Sequence, residues 1–161
     1  MPAQPFVLYL HGFLSSPQSQ KAQQTLSYCK EIGLGERIVI PSINHGPAET
    51  IMRLHVLIKE LDTDKLVLMG SSLGGYYATY LSEHYQAPAV LINPAMRPYE
   101  LWKSYLGENR NYYSNEIQLV TEQHIVELRE LEITQLSNPS NFKVFLQAGD
   151  ETLDYRQAAE K

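Results

Sequence analysis

Five residues, Gly70-Ser71-Ser72-Leu73-Gly74, set a serine between two glycines, directly after an apolar run and directly before a helical pattern. A serine hydroxyl becomes a useful nucleophile when a tight strand-to-helix turn pushes it clear of the chain. The helix N-terminus then faces the negative charge that attack creates. Gly70 and Gly74 leave room for neighbouring backbone, and Gly75 and Ala78 continue a small face on the helix that follows. Ser72 is therefore the candidate nucleophile of an acyl-transfer reaction, and Ser71 receives no catalytic role. The five-residue pattern alone is weak and is shared by Ser/Gly turns without chemistry; the strand before it and the helix after it give it weight.

Acyl transfer needs two further parts. Two backbone donors must meet the oxygen of the tetrahedral intermediate. One is expected from the N–H of Leu73, and the other from the loop His11-Gly12-Phe13 after the first apolar run, with Phe13 as candidate. His11 reads as a structural part of that loop, the general base being the alternative. An acid is also needed to orient a histidine, at the carboxyl end of a later strand. Asp150 follows the run Phe142 to Gln147 almost directly; Asp154 is its competitor, with helix capping as its plainer role.

The elements that must carry these residues alternate between strand and helix. Phe6 to Leu10, Lys65 to Met69, Ala89 to Ile92 and Phe142 to Gln147 are short apolar runs, as strands buried on both faces are. Arg37 to Ile43 is a further β run, and Pro41 suits it to an edge. Helical stretches are expected from Pro17 to Lys30, from Pro47 with Ile51, Leu54, His55, Ile58 and Leu61 on one face, and from Tyr76 to Tyr85. This order predicts a parallel sheet with helices on both faces. The segment 97–141 is less regular; it reads as a small cap over the strand ends or as a crossover helix, within one domain spanning residues 1–161.

Composition narrows the function classes. The 161 residues carry a net charge of −5 with scattered basic residues, which argues against nucleic acid or an anionic membrane as partner. The one cysteine cannot form an internal disulfide, no Cys/His cluster has metal-ligand spacing, and no targeting segment or membrane span stands out. A cytoplasmic location is the expectation. A dinucleotide fold is disfavoured, because no G-x-G-x-x-G follows the first strand.

Four runs together resemble one family. Leu10-His11-Gly12-Phe13-Leu14-Ser15-Ser16-Pro17 with Ser19 and Lys21, Gly70 to Ala78, Ile92-Asn93-Pro94-Ala95, and Gly149 to Tyr155 are similar to the YqiA-like bacterial esterases, small α/β-hydrolases of the UPF0227 type. The resemblance implies a three-layer α/β-hydrolase fold and a cofactor-free carboxylesterase acting on short acyl esters or acyl thioesters. By position it implies Ser72 as nucleophile, Asp150 as acid, and Phe13 and Leu73 as oxyanion donors, supported by His11, Gly12, Gly70 and Gly74.

The histidine breaks the pattern. In such enzymes it follows the acid, yet the five histidines are His11, His45, His55, His84 and His124, all before Asp150. His55 is expected in a helix core, His84 far along the elbow helix, His45 after an edge strand, and His124 within reach from above only if the cap folds that way. The expectation is a chain lacking a last strand and helix, so that a truncated relative, or a non-catalytic binding protein with the same pocket, stands as the alternative to an active esterase.

Overall fold

The computed structural model describes residues 3–147. β1 (Phe6–Leu10) leads into α1 (Gln20–Glu31) and the short β2 (Ile38–Val39). α2 (Pro47–Glu60), β3 (Leu66–Ser71), α3 (Leu73–Tyr85) and β4 (Ala89–Ile92) follow. α4 (Pro98–Leu101) and a 3-10 turn lead to the strands β5 (Gly107–Arg110) and β6 (Ile117–Val120). α5 (Glu122–Glu130) and β7 (Phe142–Phe145) close the described chain.

The main sheet has five parallel strands in the order β2-β1-β3-β4-β7, and β5 with β6 form a separate antiparallel pair. This is an α/β-hydrolase arrangement. The chain steps outward from β1 to β2, then back through β3 to β4 and β7. Right-handed crossovers therefore put α1 on one face and α2 with α3 on the other. Alternation along the strands agrees with this. Leu8, Leu10, Leu66 and Leu68 share a core with Ile51, Leu54 and Ile58 of α2 and Tyr77 and Leu81 of α3, whereas Tyr9 points to the opposite face.

The order reverses between β1 and β3, and such a switch point opens a crevice at the carboxyl ends of the two strands. There stand His11-Gly12-Phe13 after β1 and Ser72 after β3.

Most expected elements stand where the sequence puts them, with telling differences at their ends. α1 starts at Gln20 rather than Pro17, because Ser19 caps it: its hydroxyl accepts from the Ala22 N–H at 3.4 Å. The β run expected from Arg37 to Ile43 shrinks to two residues at the sheet edge. α3 begins at Leu73, three residues before the expected Tyr76, because the turn glycines are themselves helical. The segment 97–141 contains both an antiparallel hairpin and the helix α5, a combination that neither sequence reading described. In β7, Val144 and Phe145 are exposed, at 42% and 52%.

Candidate active site

Ser72 sits between the last residue of β3 and the first of α3, with φ 56° and ψ −120°. A side chain at that positive φ costs about 1–3 kcal/mol and persists only where its surroundings enforce it. Here they do. The Ser72 N–H donates to the Ile92 carbonyl at 3.1 Å, and its carbonyl accepts from the N–H groups of Gly75, Tyr76 and Ala95. The backbone of the serine is thus bonded on both sides, while the N–H of Leu73 has no acceptor among the described residues.

The glycines around Ser72 are there for close backbone approach. A Cβ on Gly70 would collide with the carbonyl of Gly74, and one on Gly74 with the carbonyls of Leu10 and His11. A Cβ on Gly75 would come within 2.8 Å of Pro94 Cβ. β1, β3, the Asn93-Pro94-Ala95 turn and α3 therefore meet at one point with no side chain between them.

The loop after β1 lies against this point. A Cβ on Gly12 would stand 3.4 Å from Ser72 Cβ and 3.8 Å from its Oγ. Phe13 follows, and its N–H has no acceptor among the described residues. Leu14 then takes φ 55°, which reverses the chain. Four hydrogen bonds hold the loop. The Ile43 N–H donates to His11 Nε2 at 3.1 Å, Asn44 Nδ2 and Asn111 Nδ2 each donate to the Ser15 carbonyl at 2.8 Å, and the Tyr112 N–H donates to the Leu14 carbonyl at 3.0 Å. The Phe13 ring lies 4.7 Å from that of Trp102 and 5.2 Å from that of Tyr105. Asn111 and Asn44 escaped sequence reasoning, because no local pattern marks an amide that bonds a distant loop.

His11 is structural in this geometry. Its Nε2 accepts from Ile43, so Nδ1 carries the proton and donates to the Gly12 carbonyl at 2.8 Å. Both ring nitrogens are occupied, and burial holds the pKa below the usual histidine range although the Gly12 bond opposes this. The other histidines stand elsewhere. His124 Nδ1 accepts from the Thr121 N–H in the capping box of α5, and its Nε2 faces Gly46 at the start of α2. His55 and His84 pack against each other across α2 and α3, with ring centroids 4.7 Å apart, and His55 Nδ1 bonds the Tyr85 hydroxyl. His55, expected in a core, is only half-buried, because α2 meets α3 there at its polar margin. Asp150, Gly149 and the competitor Asp154 lie outside the described residues.

A cleft of about 410 Å³ opens over Ser72. Tyr9, His11, Gly12 and Ser71 form part of its wall, Leu101, Tyr105, Tyr112 and Tyr113 come from the segment 97–141, and Ser15, Ser19, Gln20 and Lys21 come from α1 and the loop before it. The volume suits a small organic ligand. Two unpaired N–H groups beside a strained serine, at the N-terminus of a 13-residue helix, form an arrangement able to hold a developing oxyanion. Among the described residues, no three His, Cys, Asp or Glu side chains gather as a metal site requires, and no helix is long and apolar enough to cross a membrane.

Comparison with known proteins agrees with this architecture. Mouse alpha/beta hydrolase domain-containing protein 10 superposes with a TM-score of 0.75 at 14% identity, over 98% of this chain and 74% of that one. Est1E from Butyrivibrio proteoclasticus gives 0.67 at 14% identity, over 97% and 72%. At these identities the likeness is one of fold. The UPF0227 protein YcfP of Salmonella arizonae is 28% identical over 162 aligned positions, which cover 96% of this chain and 80% of that protein. The model of the uncharacterised protein family UPF0227 matches residues 6–161, so the chain belongs to that family.

Proposed function

We propose that the chain is a serine carboxylesterase that hydrolyses short acyl esters or thioesters through an acyl-enzyme on Ser72. The observation that carries this reading is the Ser72 backbone, held at φ 56°, with the N–H of Leu73 next to it and that of Phe13 in the adjoining loop both without an acceptor among the described residues. Strain at a residue whose every backbone group is satisfied has no structural use, whereas it does present Oγ to the cleft. Ser72 Oγ attacks the carbonyl carbon, and the carbonyl oxygen takes up the charge against the two N–H groups. The alcohol or thiol departs, and water releases the acid from the serine. Asp150 is the proposed acid partner. The segment 97–141 acts as a cap whose aromatic residues line the acyl pocket. Est1E, which shares the fold, is also solved with ferulic acid bound, and a small organic acid of that kind is in keeping with an ester-hydrolysis product in such a cleft.

The base needs its own test, because His11 is the histidine that lines the cleft and both of its ring nitrogens are occupied. The experiment is hydrolysis of p-nitrophenyl butyrate and labelling by a fluorophosphonate, each with and without added imidazole and with Ser72→Ala as background. Labelling and turnover that vanish in Ser72→Ala support the esterase. If added imidazole raises only the Ser72-dependent rate, the proton acceptor is what the folded chain lacks. Inertness to ester and phosphonate under every condition would instead favour a non-catalytic binding protein.

A further inference from the structure

Three residues of the cleft have no task in the ester chemistry: Ser19, Gln20 and Lys21. Ser19 caps α1, and its carbonyl accepts from the Gln23 N–H at 2.9 Å. The N–H groups of Gln20 and Lys21 have no partner among the described residues, and the first turn of α1 holds no acidic side chain. Open N–H groups at the start of a 12-residue helix carry partial positive charge, to which Lys21 adds a full one. Lys21 is exposed and makes no ion pair with a described residue. The described lining contains no acidic side chain, and its histidine, His11, is neutral.

A second observation comes from Tyr9 of β1, in the wall of the same cleft. Tyr9 is wholly buried, lines the cleft, and its hydroxyl makes no hydrogen bond to a described residue. Burial pushes its pKa up to about 12, the nearby Ser71 hydroxyl opposing only part of that rise, so at neutral pH it is an O–H donor. A buried donor left without an acceptor is costly, and a ligand oxygen that meets it recovers the loss.

We propose that the part of the cleft between Tyr9 and the start of α1 is a carboxylate subsite, with Lys21, the N–H groups of Gln20 and Lys21, and the Tyr9 hydroxyl as its donors. The inference rests on the Ser72 esterase reading and narrows it to esters or thioesters that carry a carboxylate away from the reacting carbonyl. Such a substrate is anchored at one end while its carbonyl is offered to Ser72. Hydrocarbon esters of the same length would leave the Tyr9 hydroxyl unpaired and gain nothing from Lys21.

The test compares two pairs of esters on the full chain. The acyl-side pair is the mono-p-nitrophenyl ester of adipic acid and p-nitrophenyl hexanoate. The leaving-group pair is 4-(butyryloxy)benzoate and its methyl ester. For each pair the readout is the ratio of kcat/KM, anionic over neutral, in the wild type, Lys21→Gln and Tyr9→Phe; taking variant against wild type cancels the intrinsic reactivity of the esters. In one pair the ratio falls about tenfold in Lys21→Gln, as expected for loss of a charge-assisted hydrogen bond, and by a smaller factor in Tyr9→Phe. Raised salt shrinks the wild-type ratio in the same direction. Ratios unchanged by both substitutions in both pairs overturn the subsite and leave the esterase standing. If no ester is turned over in a Ser72-dependent way, the esterase reading fails, and the subsite is read by titrating Ser72→Ala with adipate. Saturable binding that Lys21→Gln weakens keeps it, and its absence overturns it.

Discussion

A histidine eleven residues into a hydrolase-like chain invites assignment as a base, and the hydrogen bonds of His11 show why it is a brace instead. An acceptor nitrogen facing Ile43 and a donor nitrogen facing Gly12 fix one neutral tautomer, and burial, the leading cause, depresses its pKa. The consequence for stability has a definite sign. The unfolded chain takes up a proton on this ring near its ordinary pKa of 6.5, whereas the folded chain resists it to lower pH. The contribution of His11 is thus complete above that pH and is lost as the pH falls towards the depressed folded value. His55 acts in the same direction, through burial first and then its neighbours His84 and Lys59. His11→Gln should therefore flatten, without abolishing, the acid-side decline in urea midpoint, and should lower stability near neutral pH by about 1 kcal/mol through the altered bond to Ile43. An unchanged acid-side slope would mean that His11 titrates normally in the folded protein.

The strand–turn–helix unit shows how one glycine-rich stretch serves packing and chemistry at different positions. Gly74 lies where the backbone of Leu10 and His11 crosses the first turn of α3, so a methyl group there meets carbonyl oxygens rather than a movable side chain. Gly74→Ala should cost about 3 kcal/mol or more in urea unfolding, at or beyond the usual range for overpacking, because β1 or α3 must shift to admit it. Gly12 contrasts with it. Its added Cβ would stand at ordinary contact distance, 3.4 Å from Ser72 Cβ, yet only 3.8 Å from Oγ. Gly12→Ala should therefore fold with nearly wild-type stability while losing p-nitrophenyl butyrate turnover, since the methyl occupies space beside the proposed nucleophile, Ser72. Equal losses of activity and stability in both variants would contradict this division.

Across the molecule, what the sequence made legible was local and what it hid was long-range. The apolar runs and the G-x-S-x-G pattern placed β1 to the residue, β3 and α3 to within a few residues at their ends, and Ser72 at the turn between them, because period, capping and turn chemistry are written in neighbouring residues. The segment 97–141 was not readable in the same way. Its first hairpin strand, Gly107-Glu108-Asn109-Arg110, carries no apolar run, and its link to the site runs through Asn111, whose Nδ2 reaches Ser15 across 96 positions of sequence. Asn111 is 6% exposed, and its Oδ1 accepts from the N–H groups of Tyr113 and Ser114, so one amide joins the hairpin turn to the loop after β1. Asn111→Ala removes both halves of that joint, but Asn44 keeps its bond to the Ser15 carbonyl and Tyr113 and Ser114 are exposed, so the loss in urea unfolding is about 1 kcal/mol. It should also loosen the loop that presents the Phe13 N–H, so that kcat for p-nitrophenyl butyrate falls more than KM rises, because the oxyanion exists only as the reaction proceeds. Asn111→Asp keeps the acceptor for Tyr113 and Ser114 but loses the donor to Ser15. If its kcat matches the alanine variant while its stability lies nearer the wild type, the Ser15 bond is what couples the hairpin to catalysis; a wild-type kcat in both variants would uncouple the hairpin from the oxyanion loop.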